Sequence, residues 1–172
     1  MSNKFKEVDP LNIKDNPFKL IGLDWMLITG GDISDYNTMT ASWGGLGYLW
    51  EKNVAYCFIR PQRYTFGFIE KSNYYTFSFF EDKHRNVLNY CGNHSGRDID
   101  KTEKTGVIPV EGPNNTVYFE EARLVLVIKK LYGQDLKREN FHIKDPVEEF
   151  YPPEEDVHKM FIGEVETCLL RE

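Results

Sequence analysis

The chain has 172 residues, of which 15% are aromatic, and its formal net charge at pH 7 is -6. This length suits a single domain over 1–172, and the acidic balance argues against nucleic acid as a partner. The apolar runs fall short of the roughly 20 residues of a membrane helix, and the polar N-terminus contains no secretion signal, so we expect a cytoplasmic protein without a membrane partner.

Cysteine and histidine usage gives no sign of a metal centre. The three cysteines, Cys57, Cys91 and Cys168, lie in or beside apolar runs and share no recurring spacing. They are therefore predicted to be reduced and packed, without disulfides. The four histidines stand apart from one another, so no metal site is expected.

The first half of the chain alternates short apolar runs with turns. Residues 1–16 are charged and contain a proline, which predicts an extended N-terminal arm. The glycines of 44–47 predict either a bend or a place where another backbone or a ligand comes close. A two-turn helix is predicted over 65–72 with Thr65 as its N-cap. The predicted strands of this half cover residues 25–29, 38–43, 54–59 and 74–80.

The second half is predicted to contain two helices, over 81–91 and 98–105, before a loop over 107–116. The longest strand candidate covers 116–132, is split by a glutamate pair, and has a core that should be buried on both faces. Alternation of period two predicts a last strand over 159–170.

These elements favour a mainly β fold, a closed antiparallel barrel with a few short helices, because strand–helix–strand alternation is absent. The aromatic strand over 74–80 fits either a subunit interface or an internal core.

The first candidate site is a run of small and hydroxylated residues that ends in a tryptophan, NTMTASW at 37–43. Such a run brings backbone amides and hydroxyls close to a flat ligand, although an ordinary strand of small residues explains it as well. The second is RPQRYT at 60–65, where Arg60 and Arg63 supply charge at a helix start that suits a phosphate. Two surface arginines beside an ordinary helix fit the same residues.

The third candidate is SGRD at 95–98 with Lys101 one helical turn later, where Ser95 or Asp98 can cap a helix and the basic side chains can face an anion. A capped surface helix accounts for these residues without a ligand. His158 is a lone histidine before the last strand, and such residues are commonly just solvated.

In this order, NTMTASW, FIRPQRYT, SGRDIDK and FIGEV resemble the flavin reductase family, and the resemblance covers nearly the whole chain. It implies an FMN-binding split β-barrel of antiparallel, Greek-key strands. It also implies that Arg60, Gln62 and Thr65 bind the FMN phosphate, and that His158 lies near the flavin or the nicotinamide as the candidate catalytic residue. The implied cofactor contacts are Asn37, Thr38, Met39, Thr40, Ala41, Ser42, Trp43, Arg60, Gln62, Arg63, Thr65, Ser95, Gly96, Arg97 and Lys101.

The resemblance further implies an NAD(P)H-dependent flavin reductase, which transfers a hydride from NADH or NADPH to flavin N5 and passes electrons to an acceptor such as a partner protein. Two alternatives fit the same motifs: a flavoredoxin-like FMN electron carrier and a non-catalytic FMN-binding module. A homodimer with FMN near the interface is implied as well.

Overall fold

The computed structural model describes residues 4–172, so the first three residues of the predicted N-terminal arm lie outside the described part. The helices are α1 Pro17–Lys19, α2 Tyr64–Lys71, α3 Arg85–Asn93, α4 Lys101–Thr105 and α5 Asp145–Phe150. The strands are β1 Phe5–Val8, β2 Met26–Asp32, β3 Asp35–Ala41, β4 Gly44–Leu49, β5 Lys52–Ile59, β6 Tyr74–Phe79, β7 Pro109–Gly112, β8 Thr116–Phe119, β9 Leu124–Asp135 and β10 Lys159–Arg171.

An eight-stranded antiparallel sheet forms the frame, in the order β3-β2-β6-β9-β10-β5-β4, and β1 adds to it by pairing with β10. A second sheet pairs β7 with β8. The long strand β10 pairs with β9 along nearly its whole length and with β5 along its first half. This confirms the predicted mainly β, antiparallel architecture with a few short helices.

The main core lies inside this curved sheet. Its apolar side chains come from β2, β3, β5, β6, β9 and β10. The aromatic residues of β6 belong to it, because Tyr75, Phe77 and Phe79 are fully buried. Of the two interpretations of that strand, the internal core is therefore correct. The run Leu124–Ile128 of β9 is buried on both faces, as predicted.

A second apolar cluster packs α3 against the outer face of the sheet. Val87, Leu88 and Cys91 of the helix meet Leu27 of β2 and Phe119 of β8. This packing fixes α3 beside the end of β3. Each helix in the described part of the chain is too short or too polar to cross a lipid bilayer.

Several predicted boundaries are wrong for local reasons. The glycines at 44–47 form β4 and not a bend, and of the two predicted explanations the close approach of another backbone is correct, because Gly44, at φ 154°, lets its backbone approach the carbonyl of Tyr56 on β5. The predicted loop over 107–116 contains β7. The strand candidate over 116–132 is split at its glutamate pair as predicted, into β8 and β9, but its end is wrong because β9 continues to Asp135.

Both predicted helix caps are also wrong. The N-cap of α2 is Arg63, and Thr65 lies one residue inside the helix. The N-cap of α4 is Asp100, whose carboxylate accepts hydrogen bonds from the backbone N–H groups of Thr102 and Glu103. The helix predicted from residue 98 therefore begins only at Lys101.

Candidate functional site

One cavity of about 1100 Å³ opens at the end of β3. Its walls come from that strand end, the turn between β5 and α2, helix α3, and the segment 149–158, which we call the strap. The lining residues are Trp25, Met39, Thr40, Ala41, Ser42, Trp43, Phe58, Arg60, Gln62, Arg63, Leu88, Asn89, Gly92, Asn93, Glu149, Phe150, Pro152, Glu154, Glu155 and His158.

The wall at Met39–Trp43 is built where β3 leaves the sheet. Ala41 still pairs with Met26 of β2, and the chain then crosses to β4 through Ser42 and Trp43. The Thr40 hydroxyl donates a 2.5 Å hydrogen bond to the carbonyl of Leu88, which joins this wall to α3. Small side chains and main chain thus face the cavity over a short, rigid stretch.

Trp43 forms an aromatic corner with the strap. Its ring lies 5.2 Å from that of Phe150, edge to face, and 4.8 Å from the imidazole of His158. The indole is 38% exposed, so part of it remains open to the cavity. Such a corner suits contact with a flat ring.

The opposite wall is basic. Arg63 donates one hydrogen bond, of 3.2 Å, to the carbonyl of Gly92, and a guanidinium has further N–H donors for a ligand anion. Arg60 is held by the strap: it bonds the carboxylate of Glu155 and donates a 2.6 Å hydrogen bond to the carbonyl of Phe150. Both cations are guanidinium groups, whose planar fork of N–H donors is commonly used by proteins to bind phosphate.

The strap is itself fixed by one arginine. Arg138 donates hydrogen bonds of 2.5, 2.8 and 2.7 Å to the carbonyls of Tyr151, Pro152 and Glu155. These bonds satisfy the main chain of the proline-containing part of the strap that follows α5 and has no regular structure. They also place carboxylates of the strap opposite the basic wall.

His158 is a neutral imidazole in this environment. Burial, together with the charges of Arg60 and Arg63, lowers its pKa to about 4. Burial raises the pKa of Tyr151, so its hydroxyl keeps its proton and shares a 2.8 Å hydrogen bond with Nδ1 of His158.

A layer of hydrogen bonds lies directly behind the cavity. Asn37 donates from Nδ2 to the hydroxyl of Thr65 over 2.6 Å, and Thr65 is only 1% exposed. The ammonium of Lys101 donates to the carbonyls of Thr38, at 2.7 Å, and Cys91, at 3.0 Å. Burial lowers the pKa of Lys101. This layer connects β3, α2, α3 and α4.

The loop at 95–97 belongs to the same layer. Arg97 donates a 3.1 Å hydrogen bond to the carbonyl of Gln62, and its guanidinium lies 5.0 Å from the centre of the Tyr64 ring. Gly96 packs so closely on Asn37 that an added Cβ would lie 1.9 Å from Oδ1. The Ser95 hydroxyl accepts from the Arg97 N–H.

The structure thus gathers all the predicted site residues into one region, all of it within the described residues, but in two layers. The predicted residues that line the cavity are Met39, Thr40, Ala41, Ser42, Trp43, Arg60, Gln62, Arg63 and His158. Those that lie behind the lining are Asn37, Thr38, Thr65, Ser95, Gly96, Arg97 and Lys101. In this conformation the Thr65 hydroxyl faces Asn37 and not the cavity that Arg60 lines.

Sequence reasoning missed Trp25, Phe58, the α3 residues and most of the strap. Phe58 was recoverable, because alternation places it on the face opposite the core residues Cys57 and Ile59. The strap gave no periodic signal.

The donor set fits a ligand with a flat ring and a phosphate. It offers a basic wall, a wall of main chain and hydroxyls, and an aromatic corner, in a cavity large enough for a cofactor. Within residues 4–172 no cluster of metal-ligating side chains accompanies it.

The sequence matches the model of the flavin reductase like domain over residues 22–172. A search of curated proteins gives no match. Among solved structures, the FMN-binding domain of a flavin reductases-like enzyme from Shewanella baltica aligns with a TM-score of 0.70 at 15% identity, covering 97% of this chain and 77% of that one.

Two further structures are similar. The flavoredoxin of Desulfovibrio vulgaris aligns with a TM-score of 0.68 at 20% identity, covering 96% of this chain and 77% of that one. An NADH:FAD oxidoreductase of Streptomyces globisporus aligns with a TM-score of 0.65 at 15% identity, covering 87% of this chain and 78% of that one. These likenesses show the split-barrel fold. Because the family match extends over residues 22–172, the chain belongs to the flavin reductase like domain family.

Proposed function

We propose that this protein binds FMN in the cavity and acts as an NAD(P)H-dependent flavin reductase. The observation that carries the proposal is the meeting, in one cavity, of the basic wall at Arg60 and Arg63 with the main-chain and hydroxyl wall at Thr40–Trp43. The family match supports it, as do an FMN-binding domain and an NADH:FAD oxidoreductase among the similar structures.

When bound, FMN would supply the redox chemistry by accepting a hydride from NADH or NADPH at N5 and releasing electrons to an acceptor. Arg63 and Gln62 hold the phosphate, and Arg60 joins them when it exchanges its strap partner. The Ser42 hydroxyl and the main chain of Ala41–Trp43 would orient the ring and offer hydrogen-bond donors to its polar edge.

The strap covers the site. Phe150 and Trp43 keep water from the ring, and His158 presents a neutral imidazole to the cavity near neutral pH. No protein nucleophile is needed, since the residues only position the reactants.

We further propose a homodimer with FMN near the interface and, as acceptor, either a partner protein or a small oxidant. Light scattering tests the dimer, and a monomer at micromolar concentration contradicts it.

The decisive experiment is an absorbance spectrum of the purified protein with and without FMN, followed by anaerobic titration with NADH and with NADPH. Bleaching of the flavin band at catalytic rate by either nucleotide supports the reductase. A protein that binds FMN but is reduced only by a partner protein is instead an electron carrier, for which the fold shared with flavoredoxin is the supporting observation. FMN binding without reduction by either donor indicates a binding module, and lack of FMN binding refutes the proposal.

A further inference from the structure

Trp25, at the junction between the segment Leu20–Asp24 and β2, has a backbone conformation that side-chain-bearing residues rarely adopt. Its φ is 66° and its ψ is 171°. This region is almost exclusive to glycine and costs about 1–3 kcal/mol for other residues. The residue also lines the cavity.

The other positive φ values of non-glycine residues in the described chain have local explanations. Trp50 and Glu51 form the two-residue hairpin loop between β4 and β5, where both positions require positive φ. Asn114 and Asn115 form the connection between β7 and β8, and asparagine tolerates this conformation. Trp25 ends the helical segment Leu20–Asp24, where positive φ is common, but its ψ of 171° lies far from the left-handed helical value that such ends usually adopt.

The strained residue is held by several contacts. The guanidinium of Arg85, the first residue of α3, lies 4.5 Å from the centre of the Trp25 ring. Arg85 also donates a 2.8 Å hydrogen bond to the carbonyl of Leu23, and the indole Nε1–H donates to the carbonyl of Gly22 at 3.2 Å. The ring and the backbone before it are thus fixed together.

The position of Trp25 connects it to the main-chain wall of the cavity. The next residue, Met26, pairs with Ala41 on β3, so Trp25 flanks the point where the chain turns through Ser42. Trp43 lies beyond that turn and is held from the strap side, whereas Trp25 is held from the α3 side. Two indoles therefore border the same main-chain wall from different sides.

We propose that Trp25 is an aromatic contact for the ring system of the bound ligand, held by Arg85 in a strained conformation that presents it to the cavity. The inference rests on the proposed function, since the ligand it takes is a flavin-like planar heterocycle. A flat ring seated on the wall at Thr40–Trp43 then meets aromatic surface at both borders, which is a geometry suited to stacking or edge contact.

A purely structural role is the competing explanation, because Trp25 also packs against the apolar cluster beneath α3. Covering that cluster requires an apolar side chain but not an aromatic one, and it gives no reason to hold the backbone in a strained conformation. The two explanations therefore differ in whether leucine can replace the indole.

The test compares the affinities of the variants Trp25→Phe, Trp25→Leu and Trp25→Gly for two ligands, FMN and riboflavin. Riboflavin has the same ring as FMN but no phosphate. Affinities are measured by equilibrium dialysis, and folding is checked by circular dichroism and denaturant unfolding. Glycine adopts the strained conformation freely, so Trp25→Gly removes the ring without requiring the backbone to move. Leucine keeps apolar cover for the cluster.

We expect Trp25→Leu and Trp25→Gly to weaken the binding of FMN and of riboflavin by a similar factor of about 10. This is the effect expected from losing one aromatic contact together with the area that it buries. Trp25→Phe should stay within about 3-fold of wild type. If Trp25→Leu binds both flavins like wild type, the inference is wrong; if Trp25→Gly fails to fold, the leucine and phenylalanine variants still decide. Wild-type protein that binds neither flavin would instead refute the proposed function.

Discussion

The carboxylate of Glu155 bonds the guanidinium of Arg60 at the mouth of the cavity. Arg60 is one of the two cations proposed to bind the ligand phosphate. A carboxylate of the strap therefore occupies a partner that the phosphate would need. Both side chains are partly exposed, and pairs of this kind are weak enough to exchange.

Replacing Glu155 with glutamine should therefore raise the affinity for FMN. The variant removes a charge that competes with the phosphate, and we expect a gain of about 3- to 10-fold, in line with the modest energies of exposed ion pairs. Equilibrium dialysis measures it. Glu154→Gln is the matched control, because Glu154 lines the same cavity on the strap but does not bond Arg60. Equal gains in both variants would indicate general charge repulsion and not competition.

Arg63→Gln tests the basic wall. A charged hydrogen bond to phosphate is worth about 1.5–3 kcal/mol, so FMN should bind roughly 10-fold more weakly or worse, while riboflavin binding changes little. Arg97→Gln, which removes the same charge from the layer behind the cavity, should change the FMN affinity by less than about 3-fold. An equal loss of FMN affinity in the two variants would indicate that the phosphate binds near the 95–97 loop.

Thr65 should matter for stability before it matters for the ligand. Thr65→Val leaves Nδ2 of the buried Asn37 without its 2.6 Å partner, so we expect a loss of about 1–3 kcal/mol in unfolding free energy. Thr65→Ser keeps the hydroxyl and should retain most of that stability. Denaturant unfolding gives the comparison. A wild-type stability combined with a large loss of FMN affinity in Thr65→Val would place this hydroxyl at the phosphate after all.

The sequence predicted the features that depend on residues close together in the chain, and it failed for those that depend on residues far apart in the chain. The alternation in β10 and the apolar run Leu124–Ile128 are local patterns with one physical meaning, so both strands were predicted. The structure brings the motif residues into one region. Their layer was not predictable, because the choice between cavity and interior for Thr65 or Lys101 depends on partners such as Asn37 and Thr38, far away in the chain.

The position of the strap was also not predictable from the sequence. Its place is determined by Arg138 bonding main-chain carbonyls and by Arg60 bonding Glu155, neither of which leaves a periodic pattern. Trp25 is a comparable case, since a strained backbone has no signature in residue types. The sequence therefore predicted the walls that carry a local motif, at the end of β3 and at the turn before α2, and missed the side chains that long-range packing brings to the cavity.

Gly96 should be intolerant of a side chain. In Gly96→Ala the new Cβ would clash with the amide of Asn37, so the loop or the Asn37–Thr65 bond must shift, at about 1–3 kcal/mol of stability. Gly67→Ala is the matched control, because Gly67 lies on an exposed position of α2 with open space around its Cβ direction. That variant should gain about 0.5–1 kcal/mol from helix propensity. Thermal unfolding of both variants checks the contrast, and a tolerated alanine at 96 would show that this loop is loosely packed.

His158 should make folding stability depend on pH in the mildly acidic range. Its pKa falls from an ordinary value of 6.5 to about 4 in the folded protein, chiefly by burial and then by Arg60 and Arg63. Because the unfolded chain then binds the proton more readily, stability is full above pH 6.5 and declines as the pH falls toward 4. For this partly exposed ring we expect a loss on the order of 1–2 kcal/mol after solvent screening.

The measurement is urea unfolding of wild type and His158→Gln at a series of pH values from 7.5 to about 4. Carboxylates also titrate near the lower end, so the difference between the two proteins isolates the histidine. The variant keeps a polar group opposite the Tyr151 hydroxyl but cannot be protonated in this range. The difference in stability should therefore shrink, or reverse in favour of the variant, between pH 6.5 and 4. Parallel curves would mean that the imidazole titrates alike in the folded and unfolded chains, and that the strap does not bury it.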